Sequence, residues 1–361
     1  MSEVHNFNAG PAMLPREVLQ RVQSELLDYH GKGMSIMEMS HRSKEFEAVN
    51  TGAEATFKRL LGVDQGYRVL FVQGGASSQF AMLPMNFLPQ GASADYIITG
   101  AWAEKAIEEA SLLGKANVAA TTKDGGYRRM PANAELKLDP NAAYVHYTTN
   151  ETIQGTQFQT IPSVGDRPLV ADMSSDIFSR PMDGTKFSLI YAGAQKNLGP
   201  SGVTVVVLRE SWLEKANKNV PTMLRYSTHV KNNSLYNTPP SFGVYTLGLV
   251  LEWIEKNGGL AGMGTRNAAK AKAIYDVIDG SGGYYRGHAE PGSRSNMNVT
   301  FRLPSEELEK KFVTESAAAK MVGLAGHRSV GGLRASIYNA VPLESCQALA
   351  SFMKDFAKKN G

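Results

Sequence analysis

Phe187-Ser-Leu-Ile-Tyr191-Ala-Gly-Ala-Gln-Lys196-Asn-Leu-Gly-Pro-Ser-Gly-Val203-Thr-Val-Val-Val-Leu208 sets one lysine between two short apolar runs. Runs of this length and β-branched content read as buried strands. Glycines and small residues bound the lysine on both sides, so Lys196 falls in a tight turn at a strand end. A surface lysine needs no such setting. At a sheet rim a ligand reaches the amine, which is where a Schiff-base lysine has to sit. The competing reading is a solvated loop lysine, the usual state of that residue.

Outward from this stretch, helical and strand patterns alternate. Pro15 to His30, Glu45 to Leu61, Ser78 to Asn86 and Ala101 to Leu113 read as helices. Arg68 to Val72, Tyr96 to Thr99, Ala143 to Tyr147 and Pro168 to Ala171 read as strands. The alternation predicts an α/β fold, a mainly parallel sheet with helices on both faces. Ser241 to Lys256 is an apolar helix ended by Gly258-Gly259, and a helix over Leu260 to Ile278 follows. Beyond it Met297, Val299, Phe301 and Leu303 alternate as a half-covered strand. Helix Glu306 to Met321, strand Leu333 to Tyr338 and helix Leu343 to Phe356 complete a smaller α+β unit. We therefore expect a large domain over 16–259 and a small C-terminal one over 260–361, joined by the segment 1–15.

Composition narrows the function. The 361 residues are 42% apolar and 20% charged, enough for a sizeable core. The net charge of +4 comes from scattered basic residues, not a stripe, so nucleic acid is not an expected partner. One cysteine, Cys346, allows no internal disulfide and suggests a reducing compartment. The first ten residues lack a basic-then-apolar leader pattern, and no apolar run approaches membrane length. The expectation is a cytoplasmic chain with no membrane partner. No metal site is expected.

Phe71-Val-Gln-Gly74-Gly-Ala76-Ser77-Ser-Gln-Phe80 is a strand, a glycine turn and a helix start. The freed amides of Ala76 and Ser77, with the helix dipole, favour a phosphate; a plain connection is the alternative. No Gly-x-Gly-x-x-Gly or Walker-type signature is present in this turn. Trp102 opens a helix after a strand and either packs in the core or lies against a planar ring. Asp172 ends a strand, where it caps the next segment or pairs with a protonated ring nitrogen. Asp172 and Lys196 on neighbouring strand ends are the two groups that pyridoxal phosphate chemistry most needs. Arg334, Ser336 and Tyr338 share one strand face, opposite the apolar Leu333, Ala335 and Ile337. Arg334 then faces a cleft or solvent and suits a carboxylate. His41-Arg42 and His327-Arg328 would form a phosphate site if they converged. Cys346 lies on the apolar face of the last helix and reads as core.

Asn6-Phe-Asn-Ala-Gly-Pro-Ala-Met-Leu-Pro15, Met39-Ser-His-Arg-Ser43, Gly74-Gly-Ala-Ser, Gly100-Ala-Trp, Asn150-Glu-Thr-Ile-Gln-Gly155, Ala171-Asp-Met-Ser-Ser175, Ala194-Gln-Lys-Asn197, Tyr236-Asn-Thr-Pro-Pro240 and Gly331-Gly-Leu-Arg-Ala-Ser-Ile-Tyr-Asn-Ala340 run through nearly the whole chain. Together they resemble the phosphoserine aminotransferase family, of aminotransferase fold type I. The resemblance implies pyridoxal 5'-phosphate held covalently by Lys196, with Asp172 on its ring nitrogen, Trp102 stacked on its ring and Thr152 near the ring substituents. It assigns the cofactor phosphate to Ala76, Ser77 and Gln195, and to Asn237 and Thr238 reaching over from a second subunit of a homodimer with shared active sites. It implies that Arg334 binds the substrate carboxylate, and that His41, Arg42, His327 and Arg328 bind the substrate phosphate. The implied substrates are L-glutamate and a phosphorylated 2-oxo acid: 3-phosphohydroxypyruvate, with the phosphorylated four-carbon keto acid of pyridoxine synthesis as a second acceptor. Ser77 departs from members that carry arginine in the glycine loop, which leaves more of the phosphate recognition to the two His-Arg pairs. A cysteine desulfurase shares the fold type but needs a mobile, exposed cysteine. An aminotransferase acting on glyoxylate, and a regulatory protein using the glycine loop for a nucleotide, are the other readings.

Overall fold

The computed structural model describes residues 4–361. Seven strands form the central sheet: β1 Tyr67–Val72, β2 Ser93–Ile98, β3 Lys115–Thr121, β4 Val145–Thr148, β5 Leu169–Asp172, β6 Leu189–Gly193 and β7 Thr204–Arg209. Their order is β1-β7-β6-β5-β4-β2-β3. All ladders are parallel except the two made by β7, which runs antiparallel to both β1 and β6. The expected parallel sheet thus carries one reversed strand. The link from Ala194 to Val203 is too short for the crossover helix that a parallel return needs, so the chain turns straight back. Lys196 sits in that return.

Side-chain alternation explains why both sheet faces are covered. Val69, Phe71, Ala171, Ile190, Val205 and Val207 point to one face, into a core shared with helices Lys44–Leu61 and Ser241–Lys256. Leu70, Val72, Val170, Tyr191 and Val206 point to the other, against helices Gly75–Phe87 and Ala101–Ser111. Strands apolar at every position need a layer on each side.

A third core lies in the C-terminal part, built on an antiparallel sheet of β8 Arg286–Gly287, β9 Asn298–Arg302 and β10 Leu333–Ser336. Helices Glu306–Ala318 and Leu343–Asn360 pack there around Phe312, Met353 and Phe356. Near the N-terminus, His5–Asn6 pairs in parallel with Met321–Val322, and Phe7 is fully buried in this core. Helix Gly259–Asp279 bridges two cores: Met263 packs with the large cluster, Ala271 and Ile274 with the C-terminal one.

Several elements depart from expectation; the helix expected to run to Met321, for one, stops at Ala318, and Met321–Val322 pairs as a strand. Strand β3 was not legible, because Lys-Ala-Asn-Val-Ala-Ala-Thr is alanine-rich and Val118 is exposed at a sheet edge. The helix expected over Pro15–His30 stops at Glu25, since Leu27 is exposed and the Asp28 carboxylate instead accepts from the Gly33 amide at 2.7 Å. The helix expected from Ser78 begins at Gly75, inside the glycine turn itself.

Candidate active site

Asp172 ends β5 and pairs across the ladder with Tyr191 of β6, so the lysine turn lies one strand away. Gly199 and Leu198 donate back to the Ala194 carbonyl at 2.9 and 3.1 Å, closing the turn around Lys196. Its far side is held by the N-terminal segment, where the Ala12 amide donates to the Gln195 carbonyl at 2.9 Å. Ser174 ties Asp172 to the same region. Its amide and hydroxyl donate to Asp172 Oδ1 at 2.9 and 2.6 Å, and its oxygen accepts from the Gly193 amide at 3.1 Å. Both bonds to the carboxylate fall on Oδ1, so Oδ2 is the oxygen left for a ligand.

Lys196 Nζ donates to Thr152 Oγ1 at 2.7 Å and lies 5.1 Å from the centre of the Trp102 ring. Burial lowers its pKa from the ordinary 10.5 to about 8, with Arg334 adding to the drop while Asp172 and Glu151 oppose it. Burial in turn raises the Asp172 carboxyl, against the pull of the Ser174 hydrogen bonds and the lysine. A lysine depressed in this way loses its proton well before the bulk lysines do. In the cofactor-free chain we expect acetic anhydride to label Lys196 with a midpoint near pH 8, far below the bulk lysines; a midpoint near 10.5 would remove the burial argument. The stability of that form should rise with pH between about 8 and 10.5, because over that span the unfolded chain binds the extra proton.

The helix Gly75–Phe87 starts at Gly74, which has φ +96 and no side-chain cap. A Cβ there would overlap the Ser78 hydroxyl, so the turn demands glycine. Its first amides, Ala76 and Ser77 among them, therefore point out unsatisfied, as a phosphate requires. Gln73, just before the turn, touches two other candidates: Asn237 Nδ2 donates to its Oε1 at 3.3 Å, and its Nε2 donates to the Thr238 carbonyl at 3.4 Å. Trp102 Nε1 is buried with no partner. An amine of lowered pKa, a strand-end carboxylate with one free oxygen, an indole and an uncapped helix start fit a phosphorylated, ring-bearing aldehyde.

Arg334 meets the same turn from the other side, its Nη1 3.4 Å from the Thr152 carbonyl. Its Nε is buried without a partner. Arg334, His327 and Gln154 line a cavity of about 430 Å³. Tyr127 and His288 line it too, and neither was singled out in the sequence. Arg328 faces an adjoining groove with Ser329. His41 and Arg42 do not line the Arg334 cavity; the turn before helix Lys44–Leu61 carries them, and His41 Nε2 is buried unpartnered. The two His-Arg pairs are thus not brought together around that cavity within one chain.

Sequence reading also passed over Glu151, a fully buried carboxylate beside Thr152 whose oxygens accept from the Trp102 and Ala103 amides, each at 3.1 Å. Cys346, in contrast, is wholly buried with its thiol pushed up to about 12, the opposite of a mobile nucleophile.

Comparison with known proteins gives the chain's family and fold. Residues 4–349 match the family described as aminotransferase class-V. A phosphoserine aminotransferase of Herpetosiphon aurantiacus is 64% identical over 358 residues, 99% of each chain. The structure of phosphoserine aminotransferase from Bacillus circulans subsp. alkalophilus superposes with a TM-score of 0.98 at 60% identity, covering 99% of both chains. PLP-bound phosphoserine aminotransferase from Trichomonas vaginalis gives 0.92 at 39% identity, over 98% of this chain and 100% of that one.

Proposed function

Since this chain belongs to the phosphoserine aminotransferases of the class V aminotransferase family, we propose that it moves the amino group of L-glutamate to 3-phosphohydroxypyruvate, giving O-phospho-L-serine and 2-oxoglutarate. The observation that carries the reading is Thr152: its hydroxyl holds the Lys196 amine and its carbonyl meets Arg334, so amine and carboxylate binder face one space. Purified protein mixed with glutamate and 3-phosphohydroxypyruvate should form phosphoserine and 2-oxoglutarate in equal amounts. Absence of both products would overturn the assignment.

Pyridoxal 5'-phosphate, when bound, supplies an exchangeable carbonyl and a ring that takes up the electrons left by a departing α-proton. Lys196 would hold its carbonyl carbon, Asp172 Oδ2 the ring nitrogen, Trp102 the ring face and Thr152 a ring substituent. Ala76, Ser77 and Gln195 would hold its phosphate. Lys196 Nζ, once free and neutral, takes the substrate α-proton and returns it. An amine whose pKa burial has brought to about 8 is a far better base near neutrality than an ordinary lysine. Asp172 works as an anion, so a neighbouring cation must outweigh the burial that raises its pKa.

Arg334 would clamp the carboxylate common to amino donor and acceptor, and its unpartnered Nε is a donor in waiting. Replacing Arg334 with alanine should raise KM for both substrates on the order of 10- to 100-fold, the loss of one charged, hydrogen-bonded pair. Steady-state kinetics with each substrate varied in turn checks this; an unchanged KM for both would remove the role.

A homodimer with shared sites belongs to the same proposal. Asn237 and Thr238 would reach the cofactor phosphate of the second subunit, and His41-Arg42 would meet His327-Arg328 there to hold the substrate phosphate. The support is that His41 and Arg42 do not line the Arg334 cavity of their own chain while His41 Nε2 is buried without a partner. Because Ser77 brings no cation to the glycine loop, the His-Arg pairs carry the charge. Sedimentation at micromolar concentration tests the dimer. We also propose a large domain at 16–259 and a small one at 260–361 joined by 1–15, of which residues 1–3 lie outside those described. The separate C-terminal core and its ladder to His5–Asn6 support it. A cytoplasmic setting is the matching location: the one cysteine is buried and free, and among the described residues no helix is long and apolar enough to cross a membrane.

A further inference from the structure

The helix that presents Trp102 has no cap of its own. Gly100 occupies the capping position in extended conformation and brings no side chain. The cap comes instead from another segment: Glu151 Oε2 accepts from the Trp102 amide and Oε1 from the Ala103 amide, both at 3.1 Å. Gln154 reinforces it, with Oε1 at 3.5 Å from the Ala101 amide. The approach is so close that a Cβ on Gly100 would stand 2.5 Å from Glu151 Cδ and 2.7 Å from Gln154 Oε1. A serine or aspartate at the capping position is the ordinary way to satisfy such an amide, but beside Glu151 and Gln154 there is no room for its Cβ. What a local cap lacks is a link to the next residue, Thr152, which holds Lys196 and meets Arg334.

The turn is itself fixed. The Gly155 amide donates to the Glu151 carbonyl at 2.8 Å, and Thr300 Oγ1 of β9 donates to the Gln154 carbonyl at 2.7 Å. One short turn therefore sets the position of the indole, the amine and the arginine relative to each other. Glu151 is buried completely, a costly place for a carboxylate unless its contacts are specific.

We infer that Glu151 is a positioning residue, whose remote cap locks the Trp102 helix to the Thr152 turn so that the indole is held in register with Lys196. This rests on the proposed cofactor site and adds to it the group that aligns two of its walls. Trp102 placement in the absence of cofactor is then a property of the Glu151 carboxylate, not of the ring it would stack on.

Two variants test it. Glu151→Gln keeps shape and replaces one acceptor by a donor, so one of the two amides is lost. In the cofactor-free protein, hydrogen exchange in the peptide around Trp102 and Ala103 should speed up about 10-fold. In the loaded enzyme, cofactor dissociation constant and kcat should each worsen about 10-fold, with the KM for glutamate little changed. Glu151→Ala combined with Gly100→Ser puts a cap back locally, in space the glutamate has vacated once the flexible end of Gln154 swings aside. It should recover Tm while leaving cofactor affinity and kcat low. Recovery of all three would show that Glu151 is only a helix cap and would overturn the inference. So would unchanged exchange in Glu151→Gln. If Lys196→Ala is inactive while Glu151→Gln matches the natural protein in kcat and affinity, this inference fails and the functional reading stands. If Lys196→Ala stays active, the functional reading fails and takes this one with it.

Discussion

Lys196→Ala is expected to lose covalent cofactor attachment and to cut turnover on the order of 10³-fold or more. The side chain has two tasks, anchoring and proton transfer, and alanine can do neither. The fold should tolerate the change. The amine lies where burial disfavours its charge, so removing it relieves a cost at neutral pH, while the Thr152 hydroxyl loses its donor and Asp172 and Glu151 lose a nearby cation. The measurement is borohydride reduction followed by mass analysis of the peptide holding residue 196, with kcat in parallel. A natural-level kcat together with a borohydride-stable adduct in the variant would sink the assignment. Added methylamine should restore part of the rate, since a small free amine can occupy the vacated space and accept a proton.

Asp172→Asn is the second large effect, a fall in kcat on the order of 10²- to 10⁴-fold. Asparagine keeps the shape and can keep the Ser174 contacts, but it has no charge to hold a proton on a ring nitrogen. Stability should move the other way. Burial raises the Asp172 pKa, so the folded state binds its proton more tightly than the unfolded chain does. Stability attached to this carboxyl is therefore lost as pH rises from the unfolded pKa towards the raised folded one, and a neutral isostere escapes that loss. A variant that is slow yet at least as heat-resistant at pH 7 in its cofactor-free form separates a chemical role from a structural one. A slow variant with a much lower Tm would point to a structural role instead.

Much of this was legible from local pattern. Leu169-Val-Ala-Asp172 and Leu189-Ile-Tyr-Ala-Gly193 declare buried strands by continuous apolar content, and the glycine turn declares a backbone approached closely. Lys196 and Asp172 stood out at strand ends, while Trp102 and Arg334 were singled out with a core or a solvent reading beside each. Strand β3 was not, because an edge strand half in solvent needs no apolar alternation. Glu151 was not, because a buried carboxylate in sequence looks like any glutamate; only the approach of the uncapped Trp102 helix reveals what it holds.

The sequence by itself determined the covalent chemistry available: which strand ends carry an amine and a carboxylate, and which turn exposes its amides. These follow from periodicity and backbone preference, which are properties of a few neighbouring residues. Tertiary structure decided the relations between them. The parallel ladder of β5 and β6 put the Lys196 turn at the same end of the sheet as Asp172. Thr152, from a separate turn, bonded both the lysine and the arginine. Burial then moved the amine to about 8. Distances and dielectric environment arise from segments far apart in the chain, so no local pattern encodes them.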